Sequence, residues 1–118
     1  MPTLELTDQA LLVRPAPGEK VAGLLRDLDV PLASIRSAVV VPDGLAAAKG
    51  LRAPGLGVPF VAKIGTWRRR GGSTSYVVAR RRASLVLRLE GQPHDTVVVT
   101  VDDPEGWARQ VRERIGAA

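Results

Sequence analysis

The sequence has no cysteine. That single absence excludes a disulfide framework, a thiolate metal site and a cysteine nucleophile together. Aromatic residues are nearly missing as well, with two Trp, one Tyr and one Phe. Aliphatic side chains must therefore fill the interior, and few rings remain to stack on nucleic-acid bases. A lone histidine, His94, offers no second imidazole for a transition-metal site. No apolar run approaches the roughly 20 residues of a membrane span. The opening stretch "MPTLELTDQALLVRP" carries acids where a secretory leader has its basic region. The expectation is a cytoplasmic chain without a transmembrane segment, peripheral contact with a membrane being the only membrane role left open.

What is present suits one folded domain over residues 1–118, with 45% hydrophobic and 25% charged residues. Lys and Arg together number 17 against 12 Asp and Glu, giving a net charge of +5. The excess is almost all arginine, and the richness in Arg, Ala, Val, Gly and Pro fits a GC-rich genome. Basicity is accordingly weaker grounds for an acidic partner than the charge alone suggests.

Period-two alternation in Thr3-Leu4-Glu5-Leu6-Thr7, then Leu11 to Arg14 after a turn at "DQ", predicts an opening β-hairpin. A short helix is expected over about 19–24, then an extended segment in which Pro31 marks an edge strand. "IRSAVVVPDG" reads as a β-branched strand closed by a turn, and "LAAAKG" as a connector of one or two helical turns. A Gly- and Pro-rich loop leads into a strand over 61–68. "SYVVA", "SLVLRLE" and "TVVVTVD" then predict three further strands in a meander. In "DDPEGWARQVRERIG", Asp103 is the expected N-cap, Pro104 the first helical residue and Glu105 part of the first turn. Trp107, Val111 and Ile115 form the apolar stripe of that C-terminal helix. Seven short strands and one terminal helix describe a mainly β domain, a sandwich or a partly open barrel.

Five stretches carry a family resemblance: "VPLASIRSAVVV" at 30–41, "GLRAPGLGVP" at 50–59, "IGTW" at 64–67, Tyr76, and "VTVDDPEGWA" at 99–108. With these the chain resembles the bacterial pleckstrin-homology-like family of small proteins over nearly its whole length. The resemblance implies about seven antiparallel strands in two near-orthogonal sheets forming a barrel, one end capped by the C-terminal α-helix. Family members that bind phosphoinositides use basic residues in the loop between the first two strands. Here that loop is "TDQA", with Asp8 and no base, which argues against such a head-group site.

The stretch "WRRRGGSTSYVVARRR" at 67–82 holds the densest charge. If Gly71 to Thr74 form the turn, the two arginine triplets lie at opposite ends of one hairpin, roughly 15 Å or more apart. Consecutive strand residues face opposite ways, so a triplet on a strand cannot present three guanidinium groups on one surface. Solvated, edge-protecting positions are the simpler reading. The functional alternative is an anionic-surface site made by Arg68, Arg69, Arg70, Arg80 and Arg82, with Arg88 extending it. Anionic lipid is the preferred ligand of that site, and nucleic acid is disfavoured by the scarcity of aromatics. Trp67 and Tyr76 are expected to face each other across the hairpin and stabilise the sheet.

Catalytic, cofactor-binding and metal residues are expected to be none. His94 lies in a turn, Asp102 and Asp103 belong to the helix start, and Ser73, Thr74 and Ser75 have no base beside them in sequence. "GLRAPGLG" lacks the Lys-Ser/Thr ending of a phosphate-binding loop. The expected function is a non-enzymatic binding or assembly module, joining a protein partner or a second copy of itself through a strand edge or the groove beside the C-terminal helix.

Overall fold

The computed structural model describes residues 2–19, 26–47, 56–58, 62–68 and 74–116, with backbone alone for 47, 56–58, 62, 63, 67 and 68. It is mainly β, in two sheets with a C-terminal helix. β1 (Thr3–Leu6), β2 (Ala10–Arg14) and β3 (Leu28–Pro31) form an antiparallel three-stranded sheet. Thr7 builds the expected first turn: its backbone N–H and hydroxyl both donate to the Ala10 carbonyl, and the hydroxyl oxygen accepts the Ala10 N–H at 3.0 Å. Pro31 does end a strand at the sheet margin, where a missing N–H breaks no ladder. The helix expected over 19–24 falls largely outside the described residues. Residues 17–19 are helical, and the Glu19 carboxylate accepts the Ala16 N–H at 2.8 Å, one half of a capping box.

A 3-10 turn at Leu32–Ser34 turns the chain straight into β4 (Ile35–Val41), the first strand of the second sheet. Asp43 then caps a single turn, α1 (Gly44–Ala47), by accepting the N–H groups of Leu45 and Ala46 at 3.0 and 3.2 Å. The remaining strands are β5 (Leu56–Val58), β6 (Ala62–Arg68), β7 (Thr74–Arg80), β8 (Ser84–Leu89) and β9 (Thr96–Val99). Their order across the six-stranded sheet is β4-β8-β9-β7-β6-β5.

That order corrects the sequence reading twice. The three strands expected as a meander are present, but β9 lies between β7 and β8 and runs parallel to β7, so the sheet is not antiparallel throughout. The physical cause is burial. All four residues of β9 are buried, as is every interior residue of β7, so both strands need neighbours on each side and cover on both faces. A meander would have left "TVVV" at an edge. Among the described residues the strands number nine rather than seven, and no ladder joins the two sheets into a closed barrel.

The main core lies between the sheets. Ile64, Tyr76, Val78, Leu85, Leu87, Val97 and Val99 of the large sheet meet Leu11, Val13 and Val30 of the small one. The helix α2 (Pro104–Gly116) adds Ala108 and Val111, with Trp107 and Ile115 half-buried around them, which is the expected stripe plus one alanine. Its start is also as expected: Asp103 Oδ1 accepts the Gly106 N–H at 3.2 Å. Asp103 holds φ at 53°, a conformation that Asp tolerates better than most side chains. A smaller apolar cluster, Val77, Ala79 and Val98 with Val86 against it, occupies the opposite face of the large sheet.

Candidate interaction surface

The sequence reading named a strand edge and the flank of the C-terminal helix as separate loci. The structure puts both in one place. β4 is a margin of the large sheet, paired only with β8 among the described residues, and α2 packs against it. Arg112 Nε donates to the Ala38 carbonyl at 2.7 Å, tying the helix to the strand, and Arg114 Nη2 donates to the Thr7 carbonyl at 2.8 Å, tying it to the first hairpin. Next to Ala38, Val39 is 46% exposed, the one large apolar side chain so exposed among the described residues. The start of the strand is irregular, with a register shift between Ile35 and Ser37. There Arg36 donates to Glu90 at 2.5 Å and to the Ala33 carbonyl at 3.1 Å. That donated bond, followed by the guanidinium charge, holds the Glu90 carboxyl below its ordinary pKa.

Of the arginine clusters, the ladder places Arg68 and Arg80. Arg68 pairs with Thr74 at one end of β7 and Arg80 with Ala62 at the other, six residues and therefore about 20 Å apart. Arg69, Arg70 and the Gly71-Gly72 turn lie outside the described residues, and for Arg68 only the backbone is described. Arg80 is engaged: its Nη1 sits 2.5 Å from the carboxylate of Glu19, which is 4% exposed. Arg82 is exposed beside Arg81 in the 81–83 connection, each with an interaction of its own, and the Arg82 carbonyl accepts the Gly44 N–H at 3.0 Å. Arg88 is exposed on β8.

The ladder does not pair Trp67 with Tyr76: the register sets Trp67 opposite Ser75 and Thr66 opposite Tyr76, and a one-residue offset puts the two positions on opposite faces of the sheet. Tyr76 instead reaches the small-sheet side, donating its hydroxyl proton to the Arg26 carbonyl at 2.9 Å. Its ring meets His94 edge-on, with centroids 5.8 Å apart. Burial above all, then the charges of Asp27 and Glu19, raises the Tyr76 pKa far above the ordinary phenol range.

His94 is in the expected turn but half-buried there. The single hydroxyl proton of Thr74 goes to the Pro93 carbonyl, so the His94 Nδ1, 3.2 Å from that hydroxyl, must carry the proton and donate it. Burial lowers the His94 pKa, and the charge of Asp95 opposes the shift. Asp102 is exposed, and Asp103 serves the helix cap. Ser73 lies outside the described residues. Among the described residues no group of His, Asp and Glu is placed to hold a metal ion, and no helix is long and apolar enough to cross a membrane. Of the Gly-rich stretch at 50–59, only β5 is described.

Two surface features escaped the sequence reading. Arg80 carried no sign of its partner, because Glu19 is distant in the chain and stands at the start of the expected short helix. The coincidence of the helix flank with β4 depends on strand order, which local pattern does not encode. Compared with protein-family models, with curated proteins and with solved structures, the chain matches none.

Proposed function

We propose that the chain is a non-enzymatic binding or assembly module that takes an extended protein strand, from a partner or a second copy of itself, along the margin of β4 beside α2. The observation that carries this reading is the margin of β4, with the helix packed on its inner face at Ala38 and Val39 exposed on its outer face. β4 is seven residues long, enough for main-chain pairing to anchor a strand while alternate side chains select it. In its finer form we read the fold as a pleckstrin-homology-like domain; two sheets and a C-terminal helix support that reading in outline.

The runner-up is a peripheral binder of anionic membrane surface through Arg68, Arg69, Arg70, Arg80 and Arg82. Adjacent, exposed Arg81 and Arg82 favour it, while the ion pair of Arg80 with Glu19 counts against it. Sedimentation across a concentration series, for the native chain and Val39→Lys, tests the first reading. Association that persists at physiological salt and is lost in the variant supports it, because backbone pairing and apolar contact are screened little. A chain that stays monomeric but co-sediments with anionic liposomes, losing this on Arg68, Arg69 and Arg70→Ala, overturns it in favour of the second.

A further inference from the structure

Two bonds beyond the ladders fix which backbone groups of β4 face its margin. The Leu89 N–H donates to the Asp95 carbonyl at 2.8 Å, and the Glu90 N–H to the Ser34 carbonyl at 2.9 Å. Successive residues of a strand turn their backbone groups to opposite neighbours. Along β8, Leu85 and Leu87 therefore bond towards β9, while Ser84, Val86 and Arg88 bond towards β4. Their partners there are Val41, Val39 and Ser37. Ala38 and Val40, between those three, turn N–H and carbonyl outward. Arg112 intervenes at this point. Its Nε donates to the Ala38 carbonyl at 2.7 Å, the acceptor that a strand laid along β4 would need. Ala38 is 2% exposed although its strand is a margin, whereas Arg112 is itself exposed. The cover is thus a solvent-facing side chain, free to swing away without opening the core.

We propose that Arg112 is a gate on the margin of β4, and that the strand which opens it is acidic. This rests on the reading of β4 as a strand-accepting margin. An arriving N–H takes over the Ala38 carbonyl, and the displaced guanidinium stays beside the new strand as an unpaired cation next to backbone just removed from water. A carboxylate on the arriving strand, near the residue that meets Ala38, pairs with it through the two-pronged geometry that a guanidinium favours. Arg109, three residues before Arg112 and so on the same flank of α2, adds to the demand. It is exposed and forms no ion pair or hydrogen bond among the described residues. Glu105 is the one acid on that flank, which leaves it a positive charge over. β4 itself, "IRSAVVV", carries no acid, so the β4 strand of a second copy would leave both arginines unmatched. The occupant is accordingly an extended segment of another protein with Asp or Glu near its middle.

The test uses the intact chain and two capped heptapeptides, Thr-Val-Thr-Glu-Thr-Val-Thr and the same with Gln for Glu. Binding is followed by amide shifts, and strand addition by hydrogen exchange at the outward Val40 N–H, at about 0.15 M salt. The Glu peptide should protect that amide and bind about tenfold more tightly than the Gln peptide. Arg112→Met keeps the apolar stem and removes the gate. It should bind the Gln peptide several-fold more tightly than the native chain does and lose most of the preference for Glu, while Arg112→Lys should retain that preference. Protection of Val40 with Arg112→Met binding both peptides as the native chain does overturns the gate and leaves the reading of β4 intact. Equal affinity of the native chain for the two peptides, or protection that grows with protein concentration in the absence of peptide, overturns the acidic occupant. No protection by either peptide, in the native chain or in Arg112→Met, overturns gate and strand-accepting margin together.

Discussion

The hydroxyls of Ser84 and Thr100 lie 2.6 Å apart, both residues wholly buried, at the fork where β7 and β8 part to admit β9. Their protons can be assigned by elimination. Ser84 donates to the Arg82 carbonyl at 2.8 Å, and Thr100 accepts the Arg80 N–H at 2.8 Å, so Thr100 donates to Ser84. The fork is thereby closed by side chains where a ladder cannot run.

The packing above this pair leaves no room for growth. A Cβ on Gly44 would approach the Ser84 Cβ to 2.7 Å, and Gly44 is itself fixed by its N–H bond to Arg82. Gly44→Ala should lower stability by about 1–3 kcal/mol in urea denaturation. Thr100→Val, which strands the Arg80 N–H, should cost a similar amount, roughly 1–3 kcal/mol. Native-like stability in both variants would show that the fork is not closed in this way.

Arg80 should act on stability before it acts on any anionic surface. Its bond to buried Glu19 is charge-assisted, though its own side chain is 28% exposed. A double-mutant cycle with Arg80→Met and Glu19→Gln should give a coupling of about 1–2 kcal/mol, moderated by that exposure. Zero coupling would return Arg80 to the pool of surface cations.

Tyr76 is the sole tyrosine, so ultraviolet titration of phenolate reads it alone. Its folded pKa is raised above the unfolded value of about 10. The folded state therefore resists deprotonation, and stability is lost as pH rises through the unfolded pKa. Phenolate absorbance should appear only together with alkaline unfolding followed by circular dichroism. Ionisation of the intact fold near pH 10 would contradict the burial and bonding described for this ring.

For His94 the sign is reversed. Its folded pKa lies below the unfolded value of about 6.5, so the unfolded chain binds more protons in the window beneath that value. Stability should fall as pH drops from 7.5 towards 5.5, and His94→Asn should flatten that slope in thermal melts. An unchanged slope in the variant would place the titration elsewhere.

Local pattern carried much of this fold. The first hairpin, Pro31 at a margin, the capped α2 with Trp107, Val111 and Ile115, and nearly every strand follow from period and punctuation. Strand order did not. The continuous apolar run of "TVVV" signals a central strand, but adjacency in sequence favours a meander, and only burial on both faces decides between them. Register was equally hidden: the offset that separates Trp67 from Tyr76 is set by the connection between β6 and β7.

The placement of β9 also bears on synthesis. Because β4-β8 and β7-β6-β5 share no ladder except through β9, a growing chain can assemble each group but cannot join them until residues 96–99 have left the ribosome. Before then β7 and β8 each present an apolar edge to other nascent chains, the condition that invites edge-to-edge aggregation. A chain ending before residue 96 should accordingly aggregate, which turbidity or sedimentation of the truncated product would register. The last strand completes the sheet at its centre, and the final helix then packs against a surface that has only just become continuous.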